Sequence, residues 1–227
     1  MNPRNALWVA LLMLGIAVPA TASPDPGLGD LPVIEVPPAR PGSGRMVILL
    51  SGDGGWSGLV RTIAAALAAD GVGVVGLDSL KYFWTPRTPE ETTRDVARIA
   101  EHYSKQWRAD RLVLVGYSFG ADVLPVVVNR LPRDLRRRLD GLTLIAPSPV
   151  ANFEVHAGGW LGVHYPGLPI LPELERLRGL PMACISGDDD DESVCPLLPA
   201  GLARVTVLAG GHHFGGNFDA VARLVLP

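Results

Sequence analysis

The stretch that decides the fold is RLVLVGYSFGAD, residues 111–122. It begins with the apolar run Arg111–Val115, which is typical of a strand buried on both faces of a sheet. Gly116, Ser118 and Gly120 follow in the spacing G-x-S-x-G, and an apolar helical segment comes after them. A sharp strand-to-helix turn strains the backbone of the serine and exposes its hydroxyl group. The stretch therefore predicts that Ser118 is a nucleophile.

Strands and helices alternate along the rest of the chain. The predicted strands are Val33–Val36, Met46–Leu50, Val72–Leu77, Arg111–Val115, Leu142–Ile145, Met182–Ile185 and Val205–Leu208. The predicted helices are Trp56–Ala69, one that begins after Thr88, Ala121–Asn129 and Asn217–Leu226. This alternation predicts an α/β-hydrolase type of fold, in which helices cover both faces of a mostly parallel central sheet and any lid is minimal.

The composition is that of a globular domain. The 227 residues are 48% hydrophobic and 19% charged, with a formal net charge of −3. These values exclude a disordered chain, and without a basic excess no nucleic-acid partner is expected. The glycine-rich loop 51–56 lacks the lysine of a phosphate-binding loop, so we predict no nucleotide or other cofactor.

The N-terminal part of the chain differs from the rest. Residues 1–22 contain Arg4, the apolar run Ala6–Val18 and an Ala-x-Ala ending, which predict a cleaved secretory signal peptide. The run is too short to span a membrane comfortably. Residues 23–44 are rich in proline and glycine and predict a linker with one short strand. Residues 45–227 form the predicted hydrolase domain.

Export would determine the redox state of the chain's two cysteines, Cys184 and Cys195. In an oxidising compartment they can form a disulfide, with two buried reduced thiols as the alternative. We expect the bacterial periplasm, and an extracellular destination stays open. Two cysteines also rule out a zinc-finger spacing.

A nucleophilic serine needs a base, and in this fold the chain order is serine, acid, histidine. The loop after the last predicted strand reads AGGHHF, residues 209–214. His212 is the favoured base because it follows the two glycines directly. His213 is the alternative.

The acid is expected after the penultimate strand, where Asp188–Asp191 form a run of four aspartates. Asp190 is favoured because related hydrolases often carry the acid three residues after a glycine such as Gly187. Asp189 is the first alternative, followed by the two outer aspartates. The run lacks the ligand spacing of a calcium loop, so no metal site is predicted.

An oxyanion hole needs two backbone N–H donors. We assign one to Phe119, which follows the nucleophile, and the other to Asp53 in the glycine-rich loop. The carboxylates of Asp53 and Asp122 are also candidates for binding a cationic group of the substrate, and Trp56 is a further candidate substrate contact. For Asp122 the alternative is simple complementation of the helix dipole.

These residues resemble the bacterial virulence-protein family VirJ/AcvB, within the α/β-hydrolase superfamily. The segments that carry the resemblance are Leu50–Trp56, Gly116–Asp122, Phe153–His156, Cys184 with Cys195–Pro196, and Gly210–Phe214. The resemblance implies a periplasmic protein, associated in some members with type IV secretion. It also implies hydrolysis of aminoacylated phosphatidylglycerol, which releases lysine from the lipid.

The expected function is therefore a periplasmic serine esterase acting on lysyl-phosphatidylglycerol. The alternatives are a carboxylesterase or thioesterase with a soluble substrate, and a non-catalytic secretion accessory protein. A membrane surface and secretion-system proteins are candidate partners. The basic stretch 130–138 is a candidate contact with anionic lipid, and a solvated face is its alternative. The segment 146–172 is a candidate wall for acyl chains through Phe153, Trp160, Leu161, Tyr165 and Leu168.

Overall fold

The computed structural model describes residues 27–40, 42–156 and 166–226. The strands are β1 (Val33–Val36), β2 (Arg45–Leu50), β3 (Gly73–Leu77), β4 (Arg111–Tyr117), β5 (Leu139–Ile145), β6 (Val150–Ala151), β7 (Leu168–Pro169), β8 (Met182–Gly187) and β9 (Arg204–Leu208). The helices are α1 (Gly58–Ala69), α2 (Ser79–Tyr82), α3 (Pro89–Trp107), α4 (Phe119–Arg130), α5 (Arg133–Arg137), α6 (Ile170–Glu175) and α7 (Phe218–Ala222). The predicted signal peptide and three residues of the candidate acyl-chain wall, Trp160, Leu161 and Tyr165, lie outside the described residues.

Seven strands form one twisted sheet in the order β1-β3-β2-β4-β5-β8-β9. All neighbours in it are parallel except the edge strand β1, which runs antiparallel to β3. The two short strands β6 and β7 pair separately in an antiparallel ladder. The sheet is therefore mostly parallel, as the alternation of strands and helices predicts.

Helices cover both faces of the sheet. Apolar side chains of α1 and α7 pack on one face, and those of α3, α4 and α6 pack on the other. The longest of these helices, α3, starts where the sequence predicts: Thr88 accepts from the backbone N–H of Glu91, whose carboxylate accepts from the backbone N–H of Thr88. This reciprocal pair satisfies backbone groups that the first turn leaves open.

The parallel strands place five loops at one edge of the sheet. The carboxyl ends of parallel strands share an edge, and ligands of such sheets bind there. The predicted catalytic residues Ser118, Asp190 and His212 lie in the loops that follow β4, β8 and β9, and Asp53 lies in the loop that follows β2. The fold thus brings together segments that are up to 160 residues apart in sequence.

Two features differ from the predictions. The short helices α2, α5 and α6 and the β6–β7 ladder were not predicted, because they are too brief for a periodic pattern. The last helix begins within one residue of the predicted start but ends at Ala222 rather than at Leu226. In the basic stretch, Arg130 pairs with Glu90 and Arg138 donates to the carbonyl of Ala109. No helix among the described residues is long and apolar enough to cross a membrane.

Candidate active site

Ser118 lies in a tight turn between β4 and α4. Its backbone angles, φ 51° and ψ −120°, are strained for a residue with a side chain. The two flanking glycines explain how the turn closes. A Cβ atom on Gly116 would lie 2.5 Å from the backbone nitrogen of Ala121, and one on Gly120 would lie 2.4 Å from the carbonyl oxygen of Leu50. Only glycine fits at these two positions.

The structure places His212 between Ser118 and Asp190. The Nε2 atom of His212 lies 2.8 Å from Ser118 Oγ, and its Nδ1 atom lies 3.1 Å from Asp190 Oδ2. The Asp190 side chain is only 4% exposed, whereas that of His212 is 34% exposed. A histidine held this way can take a proton from the serine, while the buried carboxylate orients the ring.

The neighbouring aspartates have other positions. Asp188 accepts a 2.8 Å hydrogen bond from the backbone N–H of Gly210 and so holds the loop that carries His212. Asp189, the first alternative acid, is exposed, and its backbone N–H donates to the carbonyl of Gly210. Of the candidate acids, the one that meets His212 in the structure is Asp190.

A disulfide joins Cys184 and Cys195 across the base of the acid loop, as predicted for an oxidising compartment. Both cysteines are fully buried. A Cβ atom on Gly187 would lie 2.0 Å from the carbonyl oxygen of Gly210, so the acid loop and the histidine loop touch at a glycine. The disulfide and this close contact together fix the approach of the acid to the base.

His213, the alternative base, points its ring nitrogen at a different group. Its Nδ1 atom lies 2.6 Å from the hydroxyl oxygen of Tyr117. Burial, together with the charges of Asp53 and Asp190, raises the pKa of Tyr117 to about 12, so its hydroxyl keeps its proton at neutral pH. Tyr117 was not singled out from the sequence, and its only signal there is its position directly before the nucleophile.

The candidate oxyanion donors belong to two segments that adjoin the nucleophile. Residues 52–55 form a tight turn closed by a 3.0 Å hydrogen bond from Gly55 N–H to the Gly52 carbonyl. A Cβ atom on Gly52 would lie 3.4 Å from Ser118 Cβ, so this turn, which contains Asp53, passes directly beside the nucleophile. Phe119 is the first residue of α4, where backbone N–H groups have no carbonyl partner within the helix.

Asp122 is buried beneath the cleft and is bonded to the loop after β5. The backbone N–H and the hydroxyl of Ser148 each donate to it at 2.7 Å. Burial raises the pKa of Asp122 well above its usual range, the charges of Asp53 and Glu192 add to that rise, and the two bonds from Ser148 oppose it. Asp122 thus does more than complement the dipole of α4, because it also anchors the neighbouring loop.

An acidic cleft of about 670 Å³ opens over Ser118. Its carboxyl-bearing lining residues are Asp53, Asp122, Asp189, Asp190, Asp191 and Glu192. Among the described lining residues there is no lysine or arginine, and the basic side chains are His212 and His213. The cleft is therefore suited to a cationic group.

The candidate substrate contact Trp56 is not among the described lining residues of this cleft. Its indole covers Gly76 of β3, where a Cβ atom would lie 2.2 Å from the ring.

Phe119, the residue after the nucleophile, belongs to a cluster of aromatic side chains. The Phe83 ring lies 4.9 Å from that of Phe119 and 6.0 Å from that of Phe153, measured between centroids. Trp84 is 63% exposed next to this cluster, and Leu168 is 41% exposed on β7. Of the candidate acyl-chain wall, Phe153 is therefore packed against Phe83, whereas Leu168 is exposed.

Comparisons with known proteins agree with this fold. The sequence model of the VirJ family, described as a bacterial virulence protein, matches residues 44–227. An uncharacterized protein of Mycobacterium tuberculosis, from strains CDC 1551 and H37Rv, is 30% identical over 183 residues, which cover 74% of this chain and 58% of that protein.

Solved structures with lower sequence identity share the fold. MenH from S. aureus matches with a TM-score of 0.62 and 14% identity, over 86% of this chain and 96% of that one. An alpha-beta serine hydrolase homologue from Coxiella burnetii matches with a TM-score of 0.55 and 16% identity, over 86% of this chain and 89% of that one. The predicted α/β-hydrolase fold is confirmed.

Proposed function

The chain belongs to the VirJ family of bacterial virulence proteins, and from that premise we propose that it is a serine esterase for lipid-linked esters of cationic amino acids. Lysyl-phosphatidylglycerol is the proposed substrate. Its cleaved ester joins the carboxyl group of lysine to the glycerol headgroup, and two ammonium groups lie on the lysyl side of that ester. The proposed setting is the periplasm, and the disulfide is compatible with export.

The proposed reaction passes through an acyl-enzyme. Ser118 Oγ attacks the ester carbonyl while His212 Nε2 takes its proton, and Asp190 stabilises the imidazolium that forms. The N–H groups of Phe119 and Asp53 stabilise the oxyanion. His212 then protonates the departing phosphatidylglycerol oxygen. Water attacks the lysyl-serine ester in the same way and releases lysine, so the steps need no cofactor.

The observation that carries the substrate assignment is the charge of the cleft. Six carboxyl side chains line it, without a lysine or arginine among the described lining residues. Burial raises the pKa of Asp122, so the charge of the cleft comes from the other carboxylates. An anionic substrate would meet repulsion from these carboxylates, whereas a lysyl ester brings two positive charges toward them. Asp53 lines the cleft and lies in the turn that touches Ser118, so we assign it to the ammonium group beside the cleaved carbonyl.

Labelling with a fluorophosphonate tests whether Ser118 is a nucleophile at all. We expect stoichiometric labelling of the native protein and none of Ser118→Ala, because the probe requires an activated serine. Native protein that is not labelled would favour the non-catalytic accessory role and contradict the esterase.

Two variants that each replace an aspartate by the uncharged asparagine test whether the substrate is cationic. Asp53→Asn should lower the ratio of kcat/KM for lysyl ester to that for an uncharged ester of equal chain length by roughly 10-fold, since an ammonium–carboxylate pair at a partly buried site contributes about 1–2 kcal/mol. Asp70→Asn is the matched control, because Asp70 lies at the far end of α1 and pairs with Arg40. A ratio that does not change in Asp53→Asn would favour a carboxylesterase or thioesterase with a soluble substrate.

A further inference from the structure

Tyr117 is wedged between the two loops that serve Ser118. Its ring edge lies against the oxyanion turn, where a Cβ atom on Gly52 would be 3.4 Å from Tyr117 Cδ1. Its ring centroid lies 5.8 Å from that of His212. The side chain is buried, with only 8% of the residue exposed. One aromatic ring therefore contacts the loop of the candidate oxyanion donor and the loop of the candidate base.

The hydroxyl of Tyr117 adds a polar link to the base loop. It lies 2.6 Å from Nδ1 of His213 and 3.5 Å from the carbonyl oxygen of His212. His213 is exposed to solvent on its other side and also lines the cleft. The shorter of the two contacts is well within the range of a strong hydrogen bond. The link holds the backbone immediately after His212.

We propose that Tyr117 and His213 form a positioning pair that sets the imidazole of His212 against Ser118. Neither side chain takes or gives a proton in the reaction. Their bond fixes the loop from which His212 extends, and the ring of Tyr117 keeps that loop in register with the oxyanion turn. The proposal deepens the proposed function and rests on it only for the catalytic role of His212.

The kinetic test removes each end of the link. Tyr117→Phe and His213→Leu should each lower kcat about 10-fold and change KM less than about 2-fold, because a small displacement of a catalytic group affects the chemical step. Each rate is divided by the concentration of active sites, measured by fluorophosphonate titration. Misfolded protein therefore does not lower the measured kcat. His213→Asn should recover most of the rate, since its side-chain oxygen can accept from Tyr117 where Nδ1 does.

The double variant Tyr117→Phe/His213→Leu separates a pair from two independent residues. A pair predicts about the same 10-fold loss as either single variant, whereas independent residues predict about 100-fold. Tyr103→Phe is the matched control: Tyr103 is a buried tyrosine of α3 whose hydroxyl donates to Glu35 of β1 at 3.5 Å, and the kcat of this variant should not change. A 100-fold loss in the double variant, or normal kcat in Tyr117→Phe, would overturn the proposal.

A second measurement does not depend on activity. NMR of ¹⁵N-labelled histidine rings should show a shift of the His212 ring signals in Tyr117→Phe and none in Tyr103→Phe. Unchanged His212 signals would overturn the positioning pair even if the protein hydrolyses no ester. Conversely, shifted signals in a protein that no fluorophosphonate labels would support the pair and contradict the proposed function.

Discussion

Replacement of Asp190 by asparagine isolates the acid of the proposed relay. The change keeps the size of a side chain that is only 4% exposed and removes its negative charge. In the proposed reaction His212 becomes an imidazolium with its Nδ1 atom 3.1 Å from Asp190 Oδ2. Unit charges at that separation attract by roughly 5 kcal/mol at an effective dielectric constant of about 20. Because the His212 side chain is 34% exposed, water screens part of this attraction.

We therefore expect Asp190→Asn to lower kcat about 10³- to 10⁴-fold, in the range known for loss of a triad carboxylate. The assay is hydrolysis of a neutral chromogenic ester, so that changes in cleft charge do not affect substrate binding. Asp189→Asn is the matched control and should stay within about 3-fold of the native rate, since Asp189 is exposed and does not meet His212. A loss below 10-fold in Asp190→Asn, or an equal loss in Asp189→Asn, would refute the assignment.

Three further predictions concern the frame of the site. Reduction of the Cys184–Cys195 disulfide should lower the free energy of unfolding by about 3 kcal/mol, because it releases a loop of roughly 12 residues in the unfolded chain; an unchanged urea midpoint would contradict this. Gly187→Ala should abolish hydrolysis, since its Cβ would lie 2.0 Å from a backbone oxygen of the histidine loop, whereas Gly29→Ala, with nothing within 4 Å, should be normal. The raised pKa of Asp122 means that its protonated form stabilises the fold at acid pH, and that this contribution is lost as pH rises through the raised pKa. From pH 4 to pH 8 the native protein should therefore lose stability relative to Asp122→Asn, as measured by the free energy of unfolding. A difference between the two proteins that does not depend on pH would contradict this prediction.

The local sequence was sufficient to predict the nucleophile, because the residues that form the turn around Ser118 are its neighbours in the chain. Gly116 and Gly120 border Ser118 in the chain and also contact the neighbouring strand and helix in space. The inner strands β2, β3, β4 and β8 were equally readable, since they are buried on both faces and almost continuously apolar, whereas the edge strands β1 and β9 are partly exposed.

The acid could not be chosen from the sequence with the same certainty. Asp188 to Asp191 are chemically identical, and which of them reaches His212 depends on the contact between Gly187 and Gly210 and on the disulfide beneath it. These are long-range contacts with no local pattern. The prediction of Asp190 relied on related hydrolases rather than on the residues themselves.

Two side chains show the same limit. Trp56 was a candidate substrate contact, but its indole packs over Gly76. A glycine inside a strand signals that another group approaches closely, without saying which one. The link between Tyr117 and His213 joins residues 96 positions apart, and only the fold brings them together.

Release of lysine from lysyl-phosphatidylglycerol bilayers tests the proposed function most directly. Purified protein and Ser118→Ala are incubated with vesicles that contain the lipid, and free lysine and phosphatidylglycerol are measured by mass spectrometry over time. We expect equal amounts of both products from the native protein and none above background from Ser118→Ala. Native protein that cleaves simple esters through Ser118 but leaves the lysyl lipid intact would contradict the proposed substrate, and equal lysine release by Ser118→Ala would contradict the mechanism.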